Sequence, residues 1–235
     1  MYKGIYLALS GAVAKQRQLE IISQNLSNTD TEGYKKEKIS FKDYLLSQRS
    51  GIEDGFDGRS MTHLSNITTD FSNGNLIQTG NTLDIALNGS GFISLEEDQY
   101  TRNGNLMMDS NGYLVTQSGI KVFGNGGPIQ IPEGEIDIEP SGNIYVDGNY
   151  IDTLKIRDFE DSSLIKKGEN IFKADQEGIQ STALVQQGYL ENSNVNAIRE
   201  MVRMINTLRD FEAYQKAIKA FDETTAKITN EMGRM

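Results

Sequence analysis

The sequence predicts an α+β protein: a discontinuous domain whose terminal helices form a coiled coil, plus a mostly antiparallel β domain of short strands and hairpins. Two observations carry this. Both ends of the 235-residue chain repeat apolar residues at spacings of three and four. That is the period of one helix face, and such a face must be buried against something. Between the ends, short apolar runs are separated by Asn-Gly, Ser-Gly and Asp-Gly pairs, which mark hairpins. The predicted divisions are residues 1–34 with 187–235 (helical assembly domain), 35–66 (extended arm and loop) and 67–186 (β domain).

Taken in order, the first helix is expected from Tyr2 to Leu26. Its seam is Ile5, Ala8, Ala12, Leu19, Ile22 and Leu26, interrupted only by Lys15. The stretch Asn25 to Gly33 gathers turn formers, and Asn28 and Gly33 tolerate positive φ, which lets the chain reverse. From Tyr34 to Lys42 basic and apolar residues alternate, with Ile39 and Phe41 on one face of an extended arm. A short helical or irregular piece is expected at Asp43–Gln48, then a polar loop from Ser50 to Ser65 carrying Gly51, Gly55 and Gly58.

The β part is expected to start near Ile67. Asn88-Gly89, Asn103-Gly104, Asn111-Gly112 and Asp147-Gly148 are its strongest hairpin signals. A weak echo, Asn73-Gly74-Asn75-Leu76 against Asn103-Gly104-Asn105-Leu106, suggests stacked hairpins. After Gly188 the helical period returns, with Asn194 or Asn196 as cap and Glu200 in the first turns. Its seam is Met201, Met204, Leu208, Phe211, Tyr214, Ile218, Phe221, Thr225, Ile228 and Met232, and neither proline nor glycine interrupts it before Gly233.

Charge separates the same regions. Residues 1–50 carry eight basic and five acidic side chains, 51–185 carry eight and twenty-one, and 186–235 seven and seven. The overall −10 therefore arises in the middle, which repels nucleic acid, while the near-neutral ends are left able to associate. No apolar run reaches the roughly 18 residues of a membrane span, and no secretory signal is expected at the start.

Chemistry has little to stand on. Cysteine is absent, so thiolate metal sites and cysteine nucleophiles are excluded. The single histidine, His63, rules out a multi-histidine site. Gly89-Ser90-Gly91 has no lysine at phosphate-loop spacing, and Asp109-Ser110-Asn111-Gly112 lacks the closing glutamate of a calcium loop. The acids of 133–139 and 158–161 read as a solvated face rather than a glycosidase pair. No catalytic residue, metal or cofactor is expected.

Three segments together resemble the flagellar basal-body rod and hook protein family. The first is the opening helix with SQNLSNTDTEGYKKEKISF, Ser23 to Phe41, including the turn residues Asn25, Asn28, Gly33 and Tyr34. The second is Thr79 to Leu95 with Tyr100 to Gly119, and the third is QGYLENSNVNAIREMVRMINTLRDFEAYQKAI, Gln187 to Ile218. The resemblance implies a non-enzymatic subunit that leaves the cell unfolded through the flagellar export apparatus, without a cleaved signal. It would polymerise with copies of itself and other rod proteins in the cell envelope, its terminal helices forming the inner layer. The short chain, the compact 48–69 connection and the ending from Asp210 favour the proximal rod over the distal. A secreted carbohydrate-binding or hydrolytic β-domain protein is the alternative of another class.

Overall fold

The computed structural model describes residues 2–45, 60–160, 163–168, 170–174 and 176–232; the side chains at 2–3, 41–45, 60–66, 228 and 230–232 lie outside the description. The chain divides into two units, each built from separate stretches.

The first unit comprises residues 1–27, 37–69 and 196–235. Its helices are α1, Tyr2–Ser27, and α2, Ala197–Met232. At 36 residues, α2 is about 54 Å long. The strands Glu37–Leu45 and Ser60–Thr69 pair antiparallel, with a register shift between Ser40 and Phe41. Here the structure departs from the expected loop and helical piece. The arm is one strand of a ribbon, and polar residues from Ser60 form the other. Thr62, Thr68, Thr69 and Ile67 are β-branched and suit a pleated chain despite low hydrophobicity. Residues 46–48 of the expected helical piece, and the loop as far as residue 59, lie outside the described residues.

The second unit, residues 28–36 and 70–195, is antiparallel β throughout its described ladders. Its largest sheet runs, edge to edge, Leu164–Gly168, Ile171–Ala174, Gln99–Thr101, Phe92–Ser94, Ile156–Asp158 and Ile179–Gln180. A three-stranded sheet of Ile136–Ile138, Asn143–Val146 and Asn149–Thr153 accompanies it. Strands this short bury little each, so the unit relies on side chains pooled from many. Ile85, Leu87, Leu114, Val122, Ile129 and Ile144 belong to one aliphatic core. A second, aromatic core packs Phe92, Tyr100 and Phe172 with Phe71 and Phe159, and Phe71 meets Phe92 edge-on at 5.6 Å.

Two of the four expected hairpins are formed. Asp147 (φ 49°) and Gly148 (φ 79°) make a two-residue reversal between Asn143–Val146 and Asn149–Thr153. Around Asn111-Gly112, Asp109 Oδ1 accepts from the N–H of Asn111 and of Tyr113, both at 2.8 Å. This closes a turn between Leu106–Met108 and Leu114–Thr116. Those bonds, led by the one from Tyr113, hold the Asp109 carboxyl below its ordinary pKa. The other two pairs join strands of different ladders: Ile85–Asn88 pairs with Leu184–Gln187, and Gln99–Thr101 with Phe92–Ser94. Gly104 is needed because its backbone presses on the Ile85 carbonyl, where any Cβ would collide. Gly74 presses on the Asn192 carbonyl in the same way, so the echoed motif marks two close backbone crossings rather than stacked hairpins.

Candidate assembly interface

In the first unit α1 and α2 pack antiparallel, in a register set by three contacts. Gly4 lies beneath the Phe221 ring, Gly11 beneath the Tyr214 ring, and Lys15 Nζ meets Asp210 Oδ2 at 2.8 Å. A Cβ at Gly11 would come within 2.5 Å of the Tyr214 ring, and one at Gly4 within 2.9 Å of Phe221. The absent side chains let each ring sit on the α1 backbone. The spacing of seven in both helices keeps the two ring-on-glycine contacts on one line.

The expected seam residues divide by depth. Ala8, Ala12 and Ile22 are buried; Ile5, Leu19, Leu26, Met204, Phe211, Ile218 and Phe221 are half-buried. Met201 and Leu208 are exposed, at 50% and 45%, on the outer flank of α2. The side chain of Ile228 lies outside the described residues. Periodicity missed Gly4, Gly11, Glu200 and Thr207, which occupy the seam without being apolar. Glu200 and Thr207 are each only 3% exposed, and Arg203 donates to Glu200 Oε1 at 2.8 Å. The heptad spacing of Gly4 and Gly11 was the available signal.

Asn196 Oδ1 accepts from the Arg199 N–H at 2.9 Å and caps α2. Asn25, in the last turn of α1, is buried and acts as a surrogate strand. Its Nδ2 donates to Glu37 O and its Oδ1 accepts from Glu37 N, both at 2.9 Å, which clasps the ribbon to the helix.

In the second unit the rest of the turn motif is anchored around an ion cluster that sequence reading missed. Thr31 donates to Asn28 Oδ1 at 3.3 Å. Gly33, at φ 66°, donates its N–H to Glu191 O at 2.7 Å and packs on the backbone of Arg102 and Asn103. Tyr34 is 2% exposed, with the Lys166 ammonium 4.0 Å from its ring centre. Asn194 does not cap α2. Its Oδ1 accepts from Lys36 N at 2.8 Å and its Nδ2 donates to Asp70 O at 2.7 Å.

Lys35, Arg102 and Glu191 are buried together. Lys35 Nζ donates to Glu191 Oε1 at 2.8 Å and to Ser72 O at 2.9 Å. Arg102 Nε donates to Glu191 Oε2 at 2.6 Å, while its terminal nitrogens donate to the carbonyls of Leu87, Gly89 and Gly91. Burial pushes the Lys35 ammonium down in pKa, against the upward pull of Glu191. Burial also pushes the Glu191 carboxyl up, but the charges and hydrogen bonds of Arg102 and Lys35 outweigh it and hold the group below its ordinary range. The three residues stand far apart in the chain, so no spacing rule could join them.

Neither unit presents an arrangement with a chemical step in it among the described residues. No described helix is long and apolar enough to cross a membrane. What the first unit presents is surface: α1 exposes Tyr6, Leu7, Leu9 and Val13, and α2 exposes Ile198, Met201, Val202, Ile205 and Leu208.

Family comparisons agree with that emphasis. Residues 5–35 match the family described as flagella basal body rod protein. Residues 86–146 match the flagellar hook protein FlgE/F/G D1 domain, and 186–231 the flagellar basal body rod FlgEFG protein C-terminal family. The flagellar basal-body rod protein FlgG of Buchnera aphidicola subsp. Schizaphis graminum is 31% identical over 97% of this chain and 99% of its own length. FlgG of Borreliella burgdorferi is 32% identical with both chains fully covered, and FlgF of Caulobacter vibrioides is 26% identical, also over the whole of each. None of these supports the carbohydrate-binding or hydrolytic alternative. The chain belongs to the flagellar basal-body rod protein family, and is a structural subunit of the basal-body rod rather than an enzyme.

Proposed function

We propose that this subunit polymerises through its terminal helices, the α1–α2 pair continuing as coiled coil in the inner layer of the rod. The observation that carries this is the outer face of the pair. Large apolar side chains stand there half exposed, on helices that already have each other as partners. Monomeric surfaces do not collect such residues without use. The seam residues Ala8, Ile22, Phe211 and Phe221 hold the pair together, while Met201 and Leu208 face neighbouring subunits. The neighbours are copies of this chain and other rod proteins. Delivery is unfolded, through the flagellar export apparatus and without a cleaved signal, to the envelope-spanning axis.

The proximal rod is the favoured position. The alignment with the Buchnera FlgG extends over 265 positions against the 235 residues here, and that with the Caulobacter FlgF over 251. The chain is therefore compact for its family, in keeping with the short 48–69 connection. The test is complementation of strains lacking one rod subunit each, scored by motility and by recovery of the chain in purified basal bodies. Rescue confined to a distal-subunit deletion would move the position; absence from basal bodies in every strain would remove the role.

A further inference from the structure

The second unit contains five Asn-Gly pairs, at 73–74, 88–89, 103–104, 111–112 and 125–126. In such a pair the glycine nitrogen can attack the asparagine side-chain carbonyl, because no Cβ on the glycine shields it. The attack needs a glycine N–H that can turn toward the amide, so a hydrogen bond or close packing there suppresses it. Four of the five pairs are suppressed. Gly74 N–H donates to Glu191 Oε1 at 2.7 Å, while Asn73 Oδ1 accepts from Arg102 at 3.1 Å. Arg102 and Lys35 hold Glu191 ionised below its ordinary range, so it is a weak base that fixes the Gly74 proton rather than removing it. Gly112 N–H donates to Asp109 O at 3.1 Å, and Gly126 N–H to Asp152 Oδ2 at 3.1 Å. Gly104 is buried with its backbone against the Ile85 carbonyl, and Asn103 Oδ1 accepts from the Asn105 N–H at 3.0 Å. Asn88 differs in each respect. It ends its strand opposite Leu184 and is exposed. Among the described residues, neither its side-chain amide nor the Gly89 N–H has a hydrogen-bond partner.

We propose that Asn88 is a modification site, at which the folded subunit deamidates without an enzyme. The Gly89 nitrogen loses its proton to water and attacks Asn88 Cγ. The new N–Cγ bond closes a cyclic imide as the Cγ–Nδ2 bond breaks, and Nδ2 takes a proton from water and leaves as ammonia. Water then opens the imide at one of its two carbonyls. Cleavage of the new N–Cγ bond gives aspartate. Cleavage of the original peptide bond gives isoaspartate, whose main chain runs through the side-chain methylene. Both products add a negative charge, but only isoaspartate lengthens the backbone. That length matters because Arg102 Nη2 donates to Leu87 O at 2.8 Å and to Gly89 O at 2.6 Å, so one nitrogen spans residue 88. An added methylene between those carbonyls moves at least one of them off the guanidinium, which is also the buried partner of Glu191. A buried donor deprived of its acceptor destabilises the fold. Isoaspartate at 88 therefore loosens the ion cluster from outside, whereas aspartate leaves it intact. This site stands independently of the rod-subunit reading.

The test ages the purified full-length chain in mildly alkaline buffer, with and without enough urea to unfold it. Peptides are mapped by mass spectrometry, using fragmentation that separates isoaspartate from aspartate. In buffer, Asn88 should deamidate at least about fivefold faster than each of the other four, whose glycines must first be released by local opening. In urea the five rates should converge, because the pairs share a dipeptide and differ in their folded surroundings. Asp152→Ala frees the Gly126 N–H and should raise the Asn125 rate in the folded chain toward that of Asn88. Equal rates in buffer would overturn the site. A lead for Asn88 that persists undiminished in urea would also overturn it, by assigning the effect to local sequence. Asn88→Asp should keep the wild-type urea midpoint, whereas chains enriched in isoaspartate at 88 should unfold at lower urea. A midpoint shared by all three would overturn the coupling to Arg102.

Discussion

The Arg102 guanidinium donates to Glu191 Oε2 at 2.6 Å in a site where both side chains are almost wholly buried. Glu191 also takes Lys35 Nζ and the Gly74 N–H on its other oxygen, so one carboxylate fastens three stretches of the second unit. Removing one partner of a buried ion pair is more costly than never having had it, because the charges left behind are desolvated. Glu191→Ala should lower stability by about 3–5 kcal/mol. Chemical unfolding of the purified chain checks this; an unchanged urea midpoint would show that water replaces the carboxylate.

The same carboxylate should make stability depend on pH. The folded-state pKa of Glu191 lies below its ordinary 4.5, so its contribution is fully present above about pH 4.5. The contribution is lost as pH falls from there through the folded value. Thermal midpoints should therefore drop on acidification more steeply in the wild type than in Glu191→Gln. Parallel curves would mean that other carboxylates control acid unfolding.

Gly33→Ala combines two penalties that a control separates. At φ 66° a Cβ is strained, and here it would also lie 2.5 Å from the Arg102 and Asn103 backbone. Gly80, at φ 79°, has nothing within 4 Å. Gly80→Ala should cost about 1 kcal/mol from backbone strain, and Gly33→Ala about 1–3 kcal/mol more. Equal costs would show that the backbone at Gly33 relaxes.

Gly11→Val should push Tyr214 off α1 and loosen the helix pair by about 1–3 kcal/mol. Tyr214→Ala alone also weakens the pair. Combined with Gly11→Val it should cost less than the sum, with a coupling of at least about 0.5 kcal/mol in a double-mutant cycle. Strict additivity would contradict the ring-on-glycine contact.

Ile22→Asp and Leu208→Asp should separate folding from association. Ile22 is 4% exposed, and a carboxylate there costs several kcal/mol or opens the pair. Leu208 is 45% exposed, so the aspartate should change monomer stability by no more than about 0.5 kcal/mol while abolishing motility. Loss of monomer stability in both would place Leu208 in the subunit's own seam.

The helical ends were legible because apolar period is a local property, and the cores of Ala8, Ala12 and Ile22 followed it. Gly4 and Gly11 escaped notice because a contact can be made by leaving a side chain out. Strands such as Gln99–Thr101, Leu184–Gln187 and Tyr189–Glu191 were missed for a related reason. They are short and mixed in polarity, and partners about 70 to 115 residues away supply what their own pattern lacks. Asn-Gly pairs predicted two hairpins and misled twice, since the same dipeptide serves tight turns and close backbone crossings.

Sequence alone determined the class: two amphipathic ends, a glycine-punctuated acidic middle, and the blocks that place the chain among basal-body rod proteins. Each of those is written in residues near one another. Only the tertiary structure decided that the helices pair within one chain, which flank of each remains exposed, and that Lys35, Arg102 and Glu191 share one buried site. Those outcomes depend on register and on burial across long loops. Both emerge when distant segments compete for the same apolar surface, and no local spacing encodes the result.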